Sequence, residues 1–273
     1  MSSEDPNGAV TVVIPVWDAY VAWLPEAVES VVAQGVAEQV IIVDNASAVP
    51  VPDREGATVV RTSRRLSTGA ARNLGLAEVA TEFVVFLDAD DVMLPGSLHA
   101  LVTGIGLDPA VTAYCLALVD GETGRRHRSP RAPARRLARF RRAFALANSI
   151  WSLLPTQGAT IMRTATAAAA GGYADRSQGE DWVLAVSLVR RGRVRFGDQP
   201  ALVYRWRGDS PGREGARPPL LANARAVRQR LRADPGVSGV ARAALPLVAA
   251  LQWITAIIVR PLFRALRRTL RRS

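Results

Sequence analysis

The chain has 273 residues, of which 49% are hydrophobic and 22% charged, as in a globular protein that buries one large core or two small ones. Its one cysteine, Cys115, excludes an intrachain disulfide and a cysteine-based metal site and indicates a reducing compartment. Residues 1–8 are polar and acidic, unlike a signal peptide, and we expect a flexible N-terminus there.

The net charge of +11 is not spread evenly along the chain. All 35 basic residues are arginines; nine lie in residues 125–142 and six in residues 260–273, and neither segment contains an acidic residue. The other 20 arginines face 24 acidic residues, so the rest of the chain has a net charge of −4. This distribution argues against a surface that coats nucleic acid and predicts two local contacts with something anionic.

Short apolar runs alternate with helical patterns from residue 10 onwards. Unbroken apolar runs are typical of strands buried on both faces, so the alternation predicts an α/β fold with a mostly parallel sheet and helices on both faces. The predicted strands are residues 10–15, 40–43, 58–61, 83–87, 112–119, 158–162 and 201–204. The predicted helices are residues 20–34, 67–77, 95–106, the second half of 125–142, 165–170, 179–191 and 220–231.

Three predicted strands run into polar residues at their carboxyl ends, where ligands bind in open α/β sheets. The three polar segments are residues 15–18, residues 44–45 and the acidic run Asp88, Asp90 and Asp91. Crowded carboxylates repel one another unless a cation joins them, and a divalent cation shared with a phosphate is a common solution. The alternative is that these acids are solvated and cap the next helix.

Taken in order, these segments resemble the family 2 glycosyltransferases of GT-A fold, which use nucleotide sugars. The resemblance covers about residues 9–205, and its members are specific only as an ordered set. It implies an inverting, single-displacement transfer of a sugar to a hydroxyl acceptor. The resembling segments are residues 13–16, 42–47, 69–75, 86–91 and 180–182.

The resemblance also implies a role for individual residues. Asp90 would reach the Mg²⁺ or Mn²⁺ that bridges the donor diphosphate, and Asp181, beside Glu180, would be the catalytic base. We expect the start of a helix to keep both of these last acids ionised. The implied contacts to the nucleotide sugar are Pro15, Val16, Asp44, Arg72, Asp88 and Ala89.

One departure from the family pattern concerns the metal. Many relatives carry a histidine after the last strand, whereas residues 204–207 contain none. Either the metal has fewer protein ligands or Arg205 or Arg207 helps to neutralise the diphosphate, so metal dependence stays open. Asp91 could share the metal, but we favour a role as cap of the following helix. Trp182 is the tryptophan that we expect near the acceptor.

The C-terminal region differs in kind from the rest of the chain. Residues 243–259 carry no charge, and a helix of 17 residues would reach only about 26 Å, at the lower limit for crossing a bilayer. Apolar residues in 260–273 share one helical face among six arginines, a pattern of helices that lie in an anionic membrane interface. The alternative is an apolar helix packed on the domain, followed by a solvated basic tail.

These features predict a cytoplasmic glycosyltransferase that is peripheral on the inner face of the cell membrane. We expect a nucleotide-sugar donor, UDP-linked rather than GDP- or dTDP-linked, a lipid-linked or cell-envelope saccharide as acceptor, and no nucleic-acid partner. The predicted parts are residues 9–120 for the nucleotide sugar, 121–150 as a basic insert, 151–215 for the acceptor, and 216–273 as membrane-associating helices and tail.

Two other classes of protein compete with this prediction. A non-catalytic, arginine-rich binder of membranes or nucleic acid on the same fold is the alternative. A nucleotidyltransferase is disfavoured, because residues 15–18 do not form the glycine-rich, lysine-containing phosphate loop that it would need.

Overall fold

The computed structural model describes residues 10–127, 132–205 and 220–259. These residues form a nine-stranded sheet packed between helices. The strands are β1 (Val10–Val16), β2 (Gln39–Asp44), β3 (Thr58–Arg61), β4 (Phe83–Phe86), β5 (Val92–Met93), β6 (Val111–Asp120), β7 (Arg126–His127), β8 (Thr160–Arg163) and β9 (Arg193–Tyr204). The helices are α1 (Leu24–Val32), α2 (Thr68–Ala77), α3 (Ser97–Gly106), α4 (Ala132–Leu137), α5 (Arg141–Ile150), α6 (Thr164–Ala169), α7 (Glu180–Arg191), α8 (Leu220–Ala233), α9 (Gly239–Ala243) and α10 (Leu245–Ile254).

The first half of the sheet is parallel, as its uninterrupted apolar runs predict. β1 pairs with β2 and β4, and β2 pairs with β3. The register places Val16 beside Asp44 and Val13 beside Phe86, so β1, β2 and β4 point the same way and end near one edge. The polar segments that follow these strands are therefore brought together.

The second half of the sheet is mixed. β8 runs antiparallel between β4 and β6, and β9 pairs parallel with β6 and antiparallel with β5. The full strand order is β3-β2-β1-β4-β8-β6-β9-β5, with β7 paired to β6. The predicted α/β class is confirmed, whereas parallel pairing holds only for the first three pairings and for β6 with β9.

Helices cover both faces of the sheet. α1 and α3 pack on one face, and α2, α6 and α7 pack on the other. On this second face α2 lies very close to β1: a Cβ added to Gly75 would lie 2.3 Å from Cγ1 of Val13. A further layer, made of α8 and the start of α10, packs on α7 through Trp182 and Val186.

The arginine-rich segment forms two helices instead of one in its described part. The helical spacing of Leu137, Phe140 and Phe144 predicts a single amphipathic helix. Leu137 of α4 and Phe144 of α5 do pack together near β6 and β9, but Phe140 lies between the two helices and is 68% exposed.

The uncharged C-terminal run is helical, with α10 continuing as a π-helical turn over Thr255–Val259. Within the described residues, no helix combines the length and the apolar character that crossing a bilayer would require. The predicted amphipathic helix in residues 260–273, like the predicted flexible residues 1–8, lies outside the described residues.

Candidate active site

A cavity of about 470 Å³, the first cavity, opens where β1, β2 and β4 end. Pro15 and Val16 reach it from β1, Asn45 follows β2, and Asp88 and Asp90 follow β4. The cavity is also lined by the start of α2, the segment that leads into α7, and α8. These lining residues are Thr68, Ala71, Arg72, Ser177, Gln178, Gly179, Glu180, Asp181 and Asn223.

A second cavity of about 450 Å³ adjoins the first. Beyond the residues common to both, it is lined by His127 and Leu118 and by the segment 154–157 that precedes β8. The two cavities therefore have a shared wall, and a molecule in either one touches the same side chains. The shared wall consists of Arg72, Asp88, Glu180, Asp181 and Tyr204.

Arg72 lies at the centre of the shared wall and is only 5% exposed. Its Nη2 donates to Oδ1 of Asp88 and its Nη1 to Oε1 of Glu180, both at 2.6 Å. The guanidinium also lies 5.3 Å from the ring centre of Tyr173. Burial alone would lower the pKa of Arg72, but the two carboxylates raise it above its ordinary value, so this buried side chain stays charged.

Glu180 and Asp181 begin α7 but have different surroundings. Gly179, with φ of +72°, turns the chain into the helix. Burial raises the pKa of Glu180 although Arg72 opposes it, and its Oε2 is buried without a hydrogen-bond partner. Burial therefore works against the helix start, which was expected to keep Glu180 ionised. Asp181 lines both cavities, and its Oδ1 accepts a 2.7 Å hydrogen bond from the backbone amide of Trp182.

Of the three acids after β4, two lie on the cavity wall and one is buried in the protein interior. Asp88 and Asp90 line the first cavity. Asp91 is buried, and burial, followed by repulsion from Asp88 and Asp90, raises its pKa well above the ordinary value. It accepts a hydrogen bond from the backbone amide of Arg205. Since α3 begins after Gly96 without a side-chain cap, the interpretation of Asp91 as a helix cap is wrong.

The carboxylate oxygens of Asp88 and Asp90 suit a hard cation that would also bind a phosphate-containing ligand in the first cavity. Within the described ranges, no group of three or more His, Cys, Asp or Glu side chains is arranged to hold a metal by itself. Asp88 and Asp90 nevertheless offer carboxylate oxygens on one loop, and Asp88 remains 35% exposed beside Arg72. Mg²⁺ and Mn²⁺ take such oxygens and complete their coordination with phosphate oxygens and water.

Asp44 is not brought to either cavity. Its side chain is fully buried, and its carboxylate accepts from the backbone amides of Ser47 and Val51 and from Arg61. These bonds hold the loop after β2, in which Ala46 adopts a left-handed φ of +54° that is unfavourable for a residue with a Cβ. The geometry does not support the predicted contact of Asp44 with the base or ribose.

Three other predicted contacts are also not on the described cavity walls. Ala89 is buried in the core between the two wall acids. Arg205 pairs with Glu26 at 2.6 Å and stacks against Trp23 of the segment before α1. Arg207 lies outside the described residues.

Trp17 and Arg65 also line the first cavity, although neither is among the predicted contacts to the nucleotide sugar. The guanidinium carbon of Arg65 lies 3.4 Å from the ring centre of Trp17, which is 37% exposed. Trp17 directly follows β1, so its position at the sheet edge was a usable signal, whereas nothing in the sequence singles out Arg65. Trp182, expected near the acceptor, is instead buried and donates its indole N–H to the carbonyl oxygen of Asn148.

Comparison with known proteins agrees with this architecture. The family described as "Glycosyl transferase family 2" matches residues 11–165, which confirms the family that the ordered motifs predict. "Succinoglycan biosynthesis protein ExoW" of Rhizobium meliloti (strain 1021) is 38% identical over 101 residues, covering 33% of this chain and 31% of that protein. "Pre-mycofactocin glycosyltransferase" of Mycobacterium tuberculosis (strain CDC 1551 / Oshkosh) is 34% identical over 169 residues, covering 58% of this chain and 35% of that protein. The chain thus spans about a third of the length of these curated relatives.

The fold is also similar to solved structures. Residues 1–349 of S. aureus TarS in complex with UDP-GlcNAc align with a TM-score of 0.65 at 16% identity, covering 91% of this chain and 73% of that one. The same fragment without a named ligand gives a TM-score of 0.63. At this identity the likeness concerns the fold alone, and it confirms the predicted fold.

Proposed function

The chain belongs to glycosyl transferase family 2, and we propose that it transfers a sugar from a nucleoside diphosphate sugar to a hydroxyl group, with inversion at the anomeric carbon. The observation that carries the proposal is the shared wall. Two adjoining cavities, each large enough for part of a substrate, meet at Arg72, Asp88 and Asp181. Group transfer requires that the two substrates meet at one set of side chains, and the shared wall allows this.

We assign the donor to the first cavity. Pro15 and Val16 would border the base, and Asp88, held by Arg72, would accept from the ribose hydroxyls. Arg65 is well placed to face a phosphate, because its guanidinium is held over Trp17 at the cavity wall. The UDP-GlcNAc complex of the structurally similar TarS fragment supports a UDP-linked donor.

The leaving group carries charge that must be neutralised. A divalent cation held by Asp90, with Asp88 beside it, would neutralise the diphosphate as the sugar–oxygen bond breaks. Asp91 adds no charge of its own while it is protonated, and the raised pKa of this buried carboxyl favours that state. Beside the two wall acids the donor cavity presents two arginines, Arg65 and Arg72, and Arg72 is held in place by Asp88 and Glu180.

We assign proton removal to Asp181. An acceptor hydroxyl in the second cavity would attack the anomeric carbon, its proton would pass to the Asp181 carboxylate, and the nucleoside diphosphate would leave with the electrons of the broken bond. A single displacement of this kind inverts the anomeric carbon. Glu180 points its Oε1 at Arg72 and serves to hold that arginine rather than to take the proton.

The acceptor that we propose is a saccharide, lipid-linked or part of the cell envelope. The name of the relative ExoW, a succinoglycan biosynthesis protein, supports a polysaccharide acceptor. The uncharged run that contains α10, followed by six arginines in residues 260–273, supports work on the cytoplasmic face of a membrane.

The test is donor hydrolysis by the purified chain with a panel of UDP-, GDP- and dTDP-sugars, each with Mn²⁺, Mg²⁺ or EDTA. We expect slow release of one nucleotide. Asp90→Asn should abolish the metal-dependent part, and Asp181→Asn should bind the donor but release its nucleotide about 10²–10⁴-fold more slowly. Glu82→Gln, which alters an exposed acid paired with Arg163 outside both cavities, is the matched control.

The outcomes separate the candidates. Nucleotide release that persists in EDTA would support the transferase and would indicate that arginine side chains, rather than a metal, neutralise the diphosphate. No nucleotide binding and no release under any condition would contradict the proposal. In that case, binding of heparin with a steep salt dependence would favour the non-catalytic polyanion binder.

A further inference from the structure

A third cavity, the helical groove, lies on the helical layer and shares no lining residue with the first or second cavity. It has a volume of about 550 Å³ and lies between α5, the end of α7, and α9 with the start of α10. Its floor is apolar, and two of its apolar side chains are well exposed, Val240 at 84% and Leu146 at 52%. Exposed apolar side chains that line one cavity, rather than being scattered singly over the surface, favour a binding site.

Three arginines line the helical groove, and none of its lining residues is acidic. Arg141 and Arg142 are exposed, and within the described part of the chain neither makes a side-chain hydrogen bond or an ion pair. They occupy the first two positions of α5, where the helix dipole disfavours positive charge, so their placement does not stabilise the helix.

Arg190 adds a third positive charge from α7. It is half-buried, and its Nε is buried without a hydrogen-bond partner. Burial, followed by repulsion from Arg191 and Arg141, lowers the pKa of Arg190, and Asp234 opposes this only in part. That carboxylate is already engaged, because Arg191 donates to both of its oxygens at 2.7 and 3.1 Å.

We propose that the helical groove binds an anionic phospholipid, with the phosphate headgroup at the three arginines and an acyl chain along the apolar floor. The inference rests on the proposed membrane location but not on sugar transfer. A free phosphate would satisfy the arginines and leave the apolar floor exposed, whereas a phospholipid satisfies both. Basic residues near an anionic membrane contribute about 1 kcal/mol each.

The surface next to the groove supports a bilayer as the source of this lipid. Leu245 and Val248 of α10 face the groove, while Leu247, Trp253 and Ile254 of the same helix are 64%, 52% and 41% exposed. The chain continues from there into residues 260–273, with six arginines and no acid. A second copy of the chain is a poorer occupant, because a two-fold contact would bring the same arginines of both copies together.

The test measures flotation of the full chain with vesicles, in the absence of any sugar donor. We expect binding to vesicles of phosphatidylcholine with phosphatidylglycerol and little binding to phosphatidylcholine alone. Arg141→Gln with Arg142→Gln should lower the affinity for the anionic vesicles about 30-fold, from about 1 kcal/mol for each arginine. Val240→Glu, which places a negative charge at an exposed position in the groove, should weaken binding in the same way.

The matched control removes the same charge from the neighbouring helix. Arg225 and Arg232 are exposed on α8 and line none of the three cavities, so Arg225→Gln with Arg232→Gln should change the affinity less than about threefold. An equal loss in this control would mean that diffuse electrostatic attraction, and not the groove, causes the binding, and would overturn the proposal. Equal binding to both kinds of vesicle would also overturn it.

Other occupants have their own signatures. Millimolar inorganic phosphate that displaces the chain from anionic vesicles at constant ionic strength would assign the arginines to free phosphate. Sedimentation velocity that shows a dimer, lost in Val240→Glu, would assign the groove to a second copy. Donor hydrolysis is measured separately in detergent: intact lipid binding without hydrolysis contradicts the proposed function, and intact hydrolysis without lipid binding contradicts this proposal alone.

Discussion

Replacing Arg72 by methionine removes the charge that two carboxylates share across the wall of both cavities. Methionine fills the space of the aliphatic part of the arginine side chain, but the hydrogen bonds to Asp88 and Glu180 are lost. Glu180 is then left buried, with neither of its oxygens paired to a cation. We expect this variant to fold, but with a marked loss of stability at neutral pH.

The magnitude comes chiefly from Glu180. Removing one partner of a buried ion pair costs about 3–5 kcal/mol, because the other charge stays desolvated. Asp88 is 35% exposed, so solvent screens its share and we add little for it. The expected loss in the free energy of unfolding at pH 7 is therefore about 3–5 kcal/mol for Arg72→Met.

The loss should depend on pH in a definite direction. Burial already raises the pKa of Glu180 above 4.5, and removing Arg72 raises it further. A carboxyl with a raised pKa in the folded state contributes stability at low pH that is lost as the pH rises through that pKa. The variant should therefore be closest to the parent near pH 4.5 and fall behind as the pH rises towards 7.

Urea unfolding at pH 4.5 and pH 7 measures both effects, with Arg72→Met/Glu180→Gln as the double variant. The double variant should recover about 2 kcal/mol at pH 7, because no buried carboxylate is left behind at position 180. Arg195→Met is the control, because this arginine pairs with Asp108 at the surface, where solvent screens the interaction and its loss should change stability little. A loss for Arg72→Met no larger than that of the control, or no recovery in the double variant, would refute the reasoning.

Three shorter predictions test packing, pH linkage and donor binding. Gly75→Ala should lower the free energy of unfolding by about 1–3 kcal/mol in urea, since the new Cβ would meet the fully buried Val13. Burial alone would raise the pKa of Asp234, but Arg191 and neighbouring groups hold it below 3.8. Asp234→Asn should therefore cost about 3 kcal/mol at pH 7, and urea unfolding should show this gap closing as the pH falls below that value. Arg65→Gln should raise the KM for the donor about tenfold with little change in kcat, measured in steady-state hydrolysis; an unchanged KM would remove Arg65 from the donor site.

The elements that the sequence predicts well are those in which a local pattern and the tertiary fold agree. β3 coincides with its prediction, and Ser67 caps α2 by accepting from the amide of Ala70, as a serine before a helical run predicts. The prediction covers only residues 201–204 of β9, because Gly197, Asp198 and Pro200 interrupt the apolar pattern of the longer strand. Its pairing to β6 tolerates them through register shifts.

The convergence of the three strand ends was predictable, but the use of each side chain was not. Asp44 and Asp88 both end a buried parallel strand, and sequence position makes them equivalent. Asp44 is drawn inwards by the amides of its own loop and by Arg61, whereas Asp88 is held at the cavity by an arginine from a distant helix. Such assignments depend on partners 17 or 16 residues away, which no local pattern specifies.

Glu180 and Asp181 show how the fold separates two acids that the sequence presents as a pair. Consecutive residues of a helix point about 100° apart, so one turn of α7 cannot present both in the same direction. Both acids line the two cavities, but Glu180 is buried and bonded to Arg72, which suits a positioning role, while Asp181 makes no bond to Arg72, which suits contact with substrates. The same buried arginine holds Asp88 on the donor side, so loss of Glu180 should disturb the donor cavity as well as the helix start. A carboxylate that acts as base must reach the acceptor, and of these two acids only Asp181 combines access to both cavities with freedom from Arg72.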